Sequence, residues 1–362
     1  MDNISIIKRV FNLFKTNLKH FTSSTSIENI KKWRKLKGRF VGKRVFLIAN
    51  GPSLNITPLY LLKNEYTIAF NRFQLMLERL NYHPTFYMIA DGVVASNIRE
   101  EIQYYIKNCE YVFTPDIKKG DLVDFTQFIP YKKNVYWVYE EPIRFSHHLP
   151  FVNHGSTVIY IAFQVLKYLG FSEVVVVGND MNYVIHKTAE VVKETQTNGH
   201  LSQSIRSTED DDPNHYDPRY FGKGKEYHQP TEEFLRMMLD NLDVVAREYK
   251  KHGVKIVNAG YNSMVKSFPK RNFYDVLAYS QEEIDRLFDE LVINKGIKSK
   301  EWLFENAIPK EEDWNGDFDV VSVPMEKAMV IVKKKILDYL PLGPYKDVVY
   351  FVKRNIIKKN CP

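Results

Sequence analysis

The stretch KRVFLIANGPSLN (Lys43–Asn55) says most about how the chain folds. It starts with an apolar, β-branched run, Val45 to Ala49, and then changes abruptly to Asn-Gly-Pro-Ser, which predicts a buried strand that ends in a tight turn. The glycine would let backbone approach a ligand closely, and Pro-Ser suits a helix start. Ligands of open α/β sheets bind beyond the carboxyl ends of the strands, so this turn is a candidate phosphate or nucleoside site. Its candidate contacts are Asn50, Gly51 and Ser53.

The turn matches neither of the two common nucleotide-binding loops. It is not G-x-G-x-x-G and not a Walker A loop, which argues against a dinucleotide-dependent dehydrogenase and a P-loop kinase. Asn-Gly-Pro-Ser is also ordinary turn chemistry, so the alternative that the loop only reverses the chain stays open at this point.

Strand-like and helix-like segments alternate along the next two hundred residues. Four consecutive valines, Val174 to Val177, predict a strand that is buried on both faces, as in a parallel sheet. The pattern predicts an α/β fold: a Rossmann-like, mostly parallel sheet flanked by helices, with a helical C-terminal extension. The further predicted strands are Thr67–Phe73, Thr85–Asp91, Glu110–Asp116, Asn134–Glu140 and Val254–Gly260.

Polar residues follow several of these strands. Since the carboxyl ends of parallel strands share one edge, such residues would line a common crevice. A predicted helix from Ser156 to Gly170 would add Thr157 and the free N–H groups of its first turn to the same place. Asn and Asp also end strands simply as turn formers, which is the alternative for each one taken alone. The candidates after strands are Asn50, Asn71, Asp91, Asp180, Asn262 and Ser263.

Three regions are predicted. Residues 1–40 form an amphipathic helical segment, residues 41–275 form the Rossmann-like domain, and residues 276–362 form a basic helical module. Within the domain, residues 184–228 are polar and irregular, which is typical of a lid or an insert. The basic, apolar tail fits either a docked helix or attachment to an anionic membrane surface.

Composition narrows the class of protein. An apolar content of 44% and an aromatic content of 14% indicate a globular chain. Two cysteines cannot make a disulfide framework, which favours a reducing, cytoplasmic compartment. We find no signal peptide and no apolar stretch long enough for a membrane span. The net charge of +7 favours anionic partners such as nucleotides, acidic glycans or anionic lipid; a nucleic acid is not expected.

The catalytic candidate found from the residues alone is His228. It lies just before a predicted helix, with Thr231 as the expected N-cap, at the end of the predicted lid. A histidine there is suited to general-base catalysis because imidazole titrates near neutrality; the alternative is a surface histidine at a helix start. The acidic run Asp210–Asp212 could hold a divalent cation or be a solvated loop, and we favour the loop.

Five short motifs, taken in order, resemble a known family. The chain is similar to bacterial lipooligosaccharide sialyltransferases of glycosyltransferase family 42, and its core also resembles the DUF115 group, which includes archaeal 6-hydroxymethylpterin diphosphokinase and flagellin nonulosonate transferases. The motifs are ANGPSL (Ala49–Leu54), FNRF (Phe70–Phe73), LGFSEVVVVGND (Leu169–Asp180), the His228 segment and NSM (Asn262–Met264).

The resemblance implies roles for individual residues. Asn50 and Asn71 would contact the donor nucleotide, Asp91 stands where the family often has a third asparagine, and Ser156 and Thr157 fall near a donor-binding serine. His228 would match the lid histidine that acts as general base. The family uses two lid tyrosines on the departing phosphate. We assign these to Tyr183 and Tyr216, with Tyr220 and Tyr227 as alternatives.

The resemblance implies that the Rossmann-like fold is a GT-A variant and that the activity is inverting, metal-independent transfer of sialic acid or a related nonulosonate. The donor would be a CMP-activated sugar, used as a substrate with no further cofactor. The acceptor would be a glycan or glycolipid of lipooligosaccharide or capsule, met at the inner face of a bacterial membrane. A homo-oligomer is left open. The alternative is an ATP-dependent diphosphotransferase like the pterin enzyme, and a non-catalytic glycan-assembly subunit is a third reading.

Overall fold

The computed structural model describes residues 18, 23–80, 82–116, 124–127, 129–141, 143–197, 200–292, 299–301, 320–324, 328, 339–345 and 348–353. The strands in chain order are β1 Arg44–Ile48, β2 Tyr66–Phe70, β3 Phe86–Met88, β4 Tyr111–Pro115, β5 Val135–Glu140, β6 Phe151–Val152, β7 Glu173–Val177, β8 Glu190–Thr197, β9 His200–Arg206, β10 Glu226–Gln229, β11 Lys255–Asn258, β12 Ser299–Glu301, β13 Val320–Pro324, β14 Tyr339–Tyr345 and β15 Val348–Lys353. The helices are α1 Ser24–Leu36, α2 Gln74–Leu77, α3 Gly92–Asn97, α4 Arg99–Asn108, α5 Val158–Leu169, α6 Glu232–Lys251, α7 Phe273–Val276 and α8 Gln281–Val292.

The central sheet has the order β11-β7-β1-β2-β3-β4-β5-β6, and each neighbouring pair in it runs parallel. The chain moves outward from β1 to β6, then returns through α5 to place β7 on the other side of β1. This reversal creates a topological switch point between β1 and β7, and ligands of such sheets bind beyond it. The predicted α/β, Rossmann-like fold with a mostly parallel sheet is confirmed.

Alternating strand residues build one core on each face of this sheet. Val174 and Val176 face the core that holds α5 and α6, while Val175 and Val177 face the opposite core. All four valines are fully buried, as the sequence predicts. Burying a valine side chain contributes roughly 1.5–3 kcal/mol, so β7 is a rigid support for the loop that follows it.

Local sequence sets the ends of both long helices. α5 begins after Thr157 and ends at Gly170, which has the left-handed φ of 92° that favours glycine at a helix end. α6 begins after Thr231, whose hydroxyl accepts a 3.2 Å hydrogen bond from the N–H of Phe234. Both helices lie where the sequence predicts them.

The N-terminal region contributes a helix to the main body. Trp33 of α1 is fully buried, stacks on Phe113 at 5.4 Å between ring centroids and donates from its indole nitrogen to the carbonyl of Trp137 at 2.9 Å. α1 therefore covers the sheet. Apart from Leu18, which is described and exposed, the residues of the predicted amphipathic stripe before it lie outside the described residues.

The prediction of a helical C-terminal module is wrong for the strands that the structure describes there. α8 and Ala328 are helical, but the four strands described after α8 form a sheet in the order β12-β13-β15-β14. Two short runs of strand-forming valine and aromatic residues, Val320–Val323 and Val348–Val352, lie among charged residues, and the sequence analysis therefore did not predict them as strands. Lys333–Lys335 and Lys358–Lys359, which motivated membrane binding, lie outside the described residues.

The segment predicted as an irregular lid also has regular structure. β8, β9 and β10 form an antiparallel sheet in the order β10-β9-β8. Between β9 and β10, the segment Asp212–Phe221 packs against the body through buried aromatic side chains. The β8–β9 hairpin is thus the projecting part, and the segment after it is fixed in place.

Candidate active site

The loops after β1 and β7 are joined directly. The N–H of Gly51 donates to the carbonyl of Gly178 at 2.7 Å, and the N–H of Ser53 donates to Oδ2 of Asp180 at 2.8 Å. The Ser53 hydroxyl also donates to Oδ1 of Asp180. A Cβ on residue 51 would lie 2.5 Å from the Asp180 carboxyl carbon. The glycine is therefore required by the approach of Asp180, and not only by a ligand as its sequence suggested.

Asp180 is 6% exposed and lies at the centre of this junction. Burial raises the pKa of its carboxyl from 3.8 to about 6, while the Ser53 hydrogen bonds and nearby His215 act in the opposite direction. The carboxylate is thus held ionised at neutral pH against a large desolvation cost.

Two adjoining chambers lie beyond the strand ends. The smaller has a volume of about 120 Å³ and lies against the β1 and β7 loops; the larger, of about 440 Å³, extends towards β10 and α6. Asn71, Thr157, Tyr183 and His215 border both, so the two chambers form one crevice.

Most of the predicted site residues meet at this crevice. Asn50, Gly51 and Asp180 border the smaller chamber, Asp91, Ser156 and His228 border the larger, and the shared wall contains Asn71, Thr157 and Tyr183. Their assembly is what the polar strand ends predict; the individual roles stay predictions. The predicted residues that border neither chamber are Ser53, Tyr216, Asn262 and Ser263.

The structure places Tyr216, predicted to contact the departing phosphate, away from the crevice. Its side chain is fully buried, its hydroxyl donates to the carbonyl of Arg72 at 2.8 Å, and burial raises its pKa well above the ordinary value. A phenol with that hydrogen bond inside a core cannot assist a departing phosphate. Tyr183 does border the crevice, and burial raises its pKa to about 12, which keeps its hydroxyl protonated and able to donate.

Ser263 and Asn262 lie outside the walls of both chambers. The Ser263 hydroxyl donates to the carbonyl of Asn179 at 2.7 Å and so supports the loop that carries Asp180. Asn262 is exposed, with a left-handed φ of 57°. Neither residue lines a chamber, so their predicted contact with a nucleotide stays a prediction that this arrangement does not support.

Backbone strain is concentrated around the crevice. Asn71, Ser156 and Met181 have φ values of 51°, 64° and 51°, in the left-handed region that costs non-glycine residues energy. All three border a chamber. Such conformations persist where surrounding structure imposes them, and they occur preferentially at functional sites.

The smaller chamber also holds polar atoms that lack partners. Oδ1 of Asn50 and Nδ2 of Asn179 are buried and make no hydrogen bond within the described residues. An unsatisfied buried polar group costs about 1–3 kcal/mol, so a ligand with one donor and one acceptor at this place would recover that energy. This is the strongest sign of ligand binding in the described part of the chain.

The sequence prediction missed His215. Its Nδ1 lies 2.8 Å from Oδ2 of Asp212, whose side chain is fully buried. Burial acts to raise the pKa of Asp212, but His215 and the N–H groups of Asn214 and Phe221 outweigh it, so the pKa lies below the ordinary value. The imidazole also stacks on Tyr220, with 4.0 Å between ring centroids and 2° between planes. The Asp-x-x-His spacing was the available signal.

His228 lies on β10, with an exposed side chain at the wall of the larger chamber. Its neighbour Tyr227 hydrogen-bonds through its hydroxyl to Nδ1 of His186, and Nε2 of His186 lies 2.7 Å from Asp211. These contacts tie β10 to the start of the hairpin. His228 is therefore carried on a supported strand that faces the crevice.

The carboxylates of the acidic run Asp210–Asp212 are each engaged by protein groups. Asp210 accepts from the N–H of Lys223 at 2.8 Å, while Asp211 and Asp212 are each engaged by a different histidine. Elsewhere in the described residues, His147, Glu248 and His252 are close enough to share a metal ion. The Lys167 ammonium lies 2.9 Å from Nδ1 of His147 and opposes a cation there.

Comparisons with known proteins give two matches. Residues 14–186 match the family model described as 6-hydroxymethylpterin diphosphokinase MptE-like. The structure of the MAf glycosyltransferase from Magnetospirillum magneticum AMB-1 is similar at 15% identity and a TM-score of 0.39, over 67% of this chain and 38% of that one. No curated protein sequence matches the chain. No helix within the described residues is long and apolar enough to cross a bilayer.

The family match covers β1 to β7 together with the loops that carry Asn50, Asn71 and Asp180. It ends before the β8–β9 hairpin and does not include His215 or His228. The matched range therefore contains the β1, β2 and β7 loops of the crevice, and His215 and His228 lie beyond it.

Proposed function

We propose that the protein is an inverting, metal-independent glycosyltransferase that moves sialic acid or a related nonulosonate from a CMP-activated donor to a cell-surface glycan. One observation carries the proposal: the unpaired polar atoms of Asn50 and Asn179 in the smaller chamber, next to the first turn of α5. Ribose hydroxyls can satisfy both kinds of atom, and a helix N-terminus favours phosphate.

The larger chamber provides room for the sugar and its acceptor. His228 is the base that takes the proton from the acceptor hydroxyl, and Tyr183 donates a hydrogen bond on the donor side, since both border this space. Asp91 has a structural task as well, because its Oδ1 accepts from the N–H groups of Val93 and Val94 at the start of α3. It supports the wall and leaves donor contact mainly to Asn50 and Asn71.

A second candidate is a diphosphotransferase that uses ATP and magnesium. The family-model match over residues 14–186 favours it, because that model carries the pterin enzyme's description. Such a reaction needs oxygen ligands for the metal, and the Asp210–Asp212 carboxylates are engaged by protein groups. We therefore prefer the metal-independent reaction.

The experiment is a thermal-shift panel of CMP, CDP, UDP, GDP and ATP, each with and without magnesium. Stabilisation by CMP without magnesium supports the sialyltransferase-like reaction, and stabilisation only by ATP with magnesium supports the second candidate. The same protein is then incubated with CMP-sialic acid in EDTA and followed for CMP release. Full dependence on added magnesium would contradict the proposal.

Membrane attachment is a separate part of the proposal. The basic tail residues Lys333–Lys335 and Lys358–Lys359 would hold the enzyme near a lipid-linked acceptor through anionic lipid. Sedimentation with vesicles of 30% phosphatidylserine, compared with neutral vesicles, tests it. Equal recovery with both would contradict this attachment without affecting the assignment of the crevice.

A further inference from the structure

The described lining of the smaller chamber contains very little positive charge for binding a phosphate. Among the described residues that border it, His215 is the only one able to carry a positive charge; the others are apolar, neutral polar or, in Asp180, acidic. A nucleotide phosphate bound there would meet α5 and this imidazole but no lysine or arginine. The balance of charge in the chamber thus depends on one side chain.

His215 is held in a single orientation. Nδ1 faces the buried Asp212 carboxylate at 2.8 Å, Tyr220 stacks on one ring face, and Phe221 meets the ring with planes at 90°. Nε2 makes no hydrogen bond to a described residue. Because Nδ1 is engaged in the protein interior, Nε2 is the nitrogen left for a ligand.

The charge of Asp212 supports a donor at Nε2. Asp212 accepts from the N–H of Asn214 at 2.8 Å and from that of Phe221 at 3.1 Å, as an ionised carboxylate does. An ionised group in the interior is costly unless it faces a cation. The imidazolium form of His215 would face the carboxylate as that cation and would carry N–H groups at both Nδ1 and Nε2.

We propose that His215 binds the phosphate of the nucleotide through Nε2–H, with Asp212 as its positioning residue. This inference rests on the proposed function and replaces the phosphate contact that buried Tyr216 cannot make. During transfer, the bond from the anomeric carbon to the phosphate oxygen breaks, its electron pair stays on that oxygen, and His215 stabilises the charge by its hydrogen bond. The acceptor oxygen forms the new bond, and its proton goes to His228.

The test compares the dissociation constants of CMP and cytidine by calorimetry in EDTA. Wild type is expected to prefer CMP, and His215→Gln to lose roughly 10- to 100-fold in CMP affinity with little change for cytidine, as for loss of a charged hydrogen bond. Asp212→Asn should lose the same preference. If Asp212→Asn does not fold, His215→Gln decides alone, since its side chain is partly exposed at 16%.

The matched control is His83→Gln. His83 also packs against a tyrosine, Tyr104, at 5.6 Å between ring centroids, but borders neither chamber. Its substitution should leave the CMP-to-cytidine ratio unchanged, and equal losses in both variants would overturn the proposal.

Failure of the proposed function gives a different result. If wild type binds adenine nucleotides instead, the same comparison is made with AMP and adenosine. A loss of AMP affinity in His215→Gln would then support the phosphate contact and contradict a CMP-activated donor. An unchanged ratio in His215→Gln, with either pair, overturns the phosphate contact alone. Absence of any nucleotide binding by wild type overturns both.

Discussion

The backbone N–H of Tyr216 donates a 3.1 Å hydrogen bond to the carbonyl of Asn50 and so fixes the segment after β9 to the loop after β1. Asn55 reinforces the connection, because its Nδ2 donates to the carbonyl of Tyr216 at 2.9 Å. The wall of the crevice on this side is therefore part of the rigid body. The segment that carries His215 is thus hydrogen-bonded to the loop after β1 on both sides of the Tyr216 peptide.

Tyr216→Phe tests the structural assignment of this residue. The change removes the hydroxyl that donates to the Arg72 carbonyl, which keeps a 3.2 Å hydrogen bond from the N–H of Leu75, so the free energy of unfolding should fall by about 0.5–1.5 kcal/mol. Turnover at 25 °C should stay within about twofold of wild type, since the hydroxyl does not reach the crevice. Urea unfolding measures the stability and a CMP-release assay measures the turnover. The control is Tyr104→Phe, at a position that is 40% exposed. A large loss of turnover with unchanged stability would restore a phosphate role for Tyr216.

Gly51→Ala should damage the junction between the β1 and β7 loops. The added methyl group would lie 2.5 Å from the Asp180 carboxyl carbon and 2.7 Å from the carbonyl of Gly178, so one of the loops must move. Overpacking of this kind costs about 1–3 kcal/mol, measured by urea unfolding. The cost should be smaller in an Asp180→Ala background, where the carboxyl contact is gone; strictly additive effects would contradict the clash.

Asp180 predicts a pH dependence of stability. Its pKa is raised from 3.8 to about 6 by burial, so the folded protein binds more protons than the unfolded chain between these values. Stability should therefore fall as the pH rises from about 4 to 6, by up to about 3 kcal/mol from this group. The unfolding free energy of Asp180→Asn should lack this component. Urea unfolding from pH 4 to 7 measures the difference in unfolding free energy between wild type and variant. A difference that does not change with pH would contradict the assignment.

The two crevice histidines should fail in different ways. His228→Ala removes the proposed base, which transfer to an acceptor requires, and should lower transfer by about 100- to 10 000-fold while slow hydrolysis of the donor by water continues. His215→Gln removes the proposed phosphate contact, which both reactions share, and should lower both together. Release of CMP is measured with and without acceptor. Equal loss of transfer and hydrolysis in His228→Ala would argue that it does not act on the acceptor.

The central fold could be predicted because its determinants are local. The valine run of β7, the abrupt end of β1 at Asn50 and the cap at Thr231 each specify structure within a few residues. The polar strand ends then converge by the geometry of a parallel sheet. The C-terminal strands were missed because Val320–Val323 and Val348–Val352 are short and lie among charged residues that favour other readings.

The site could be predicted only in part, because it depends on pairings across the fold. His215 follows the acidic run closely and His186 lies far before it in the chain, and the sequence does not say which carboxylate each one meets. Tyr216 and Tyr220 are four residues apart in one polar segment, yet Tyr216 contacts Arg72 while Tyr220 stacks on His215. Only the packed segment decides which aromatic ring borders the crevice.

Asp211 and Asp212 are neighbours in the chain but anchor different histidines, one beside the hairpin and one at the crevice. The position of this pair in the chain therefore determines which carboxylate each histidine meets. Deleting a single residue ahead of the pair would bring Asp212 to the place of Asp211 and Pro213 to the place of Asp212, so His215 would lose its carboxylate. The length of this segment is therefore a structural requirement separate from the identity of its other side chains.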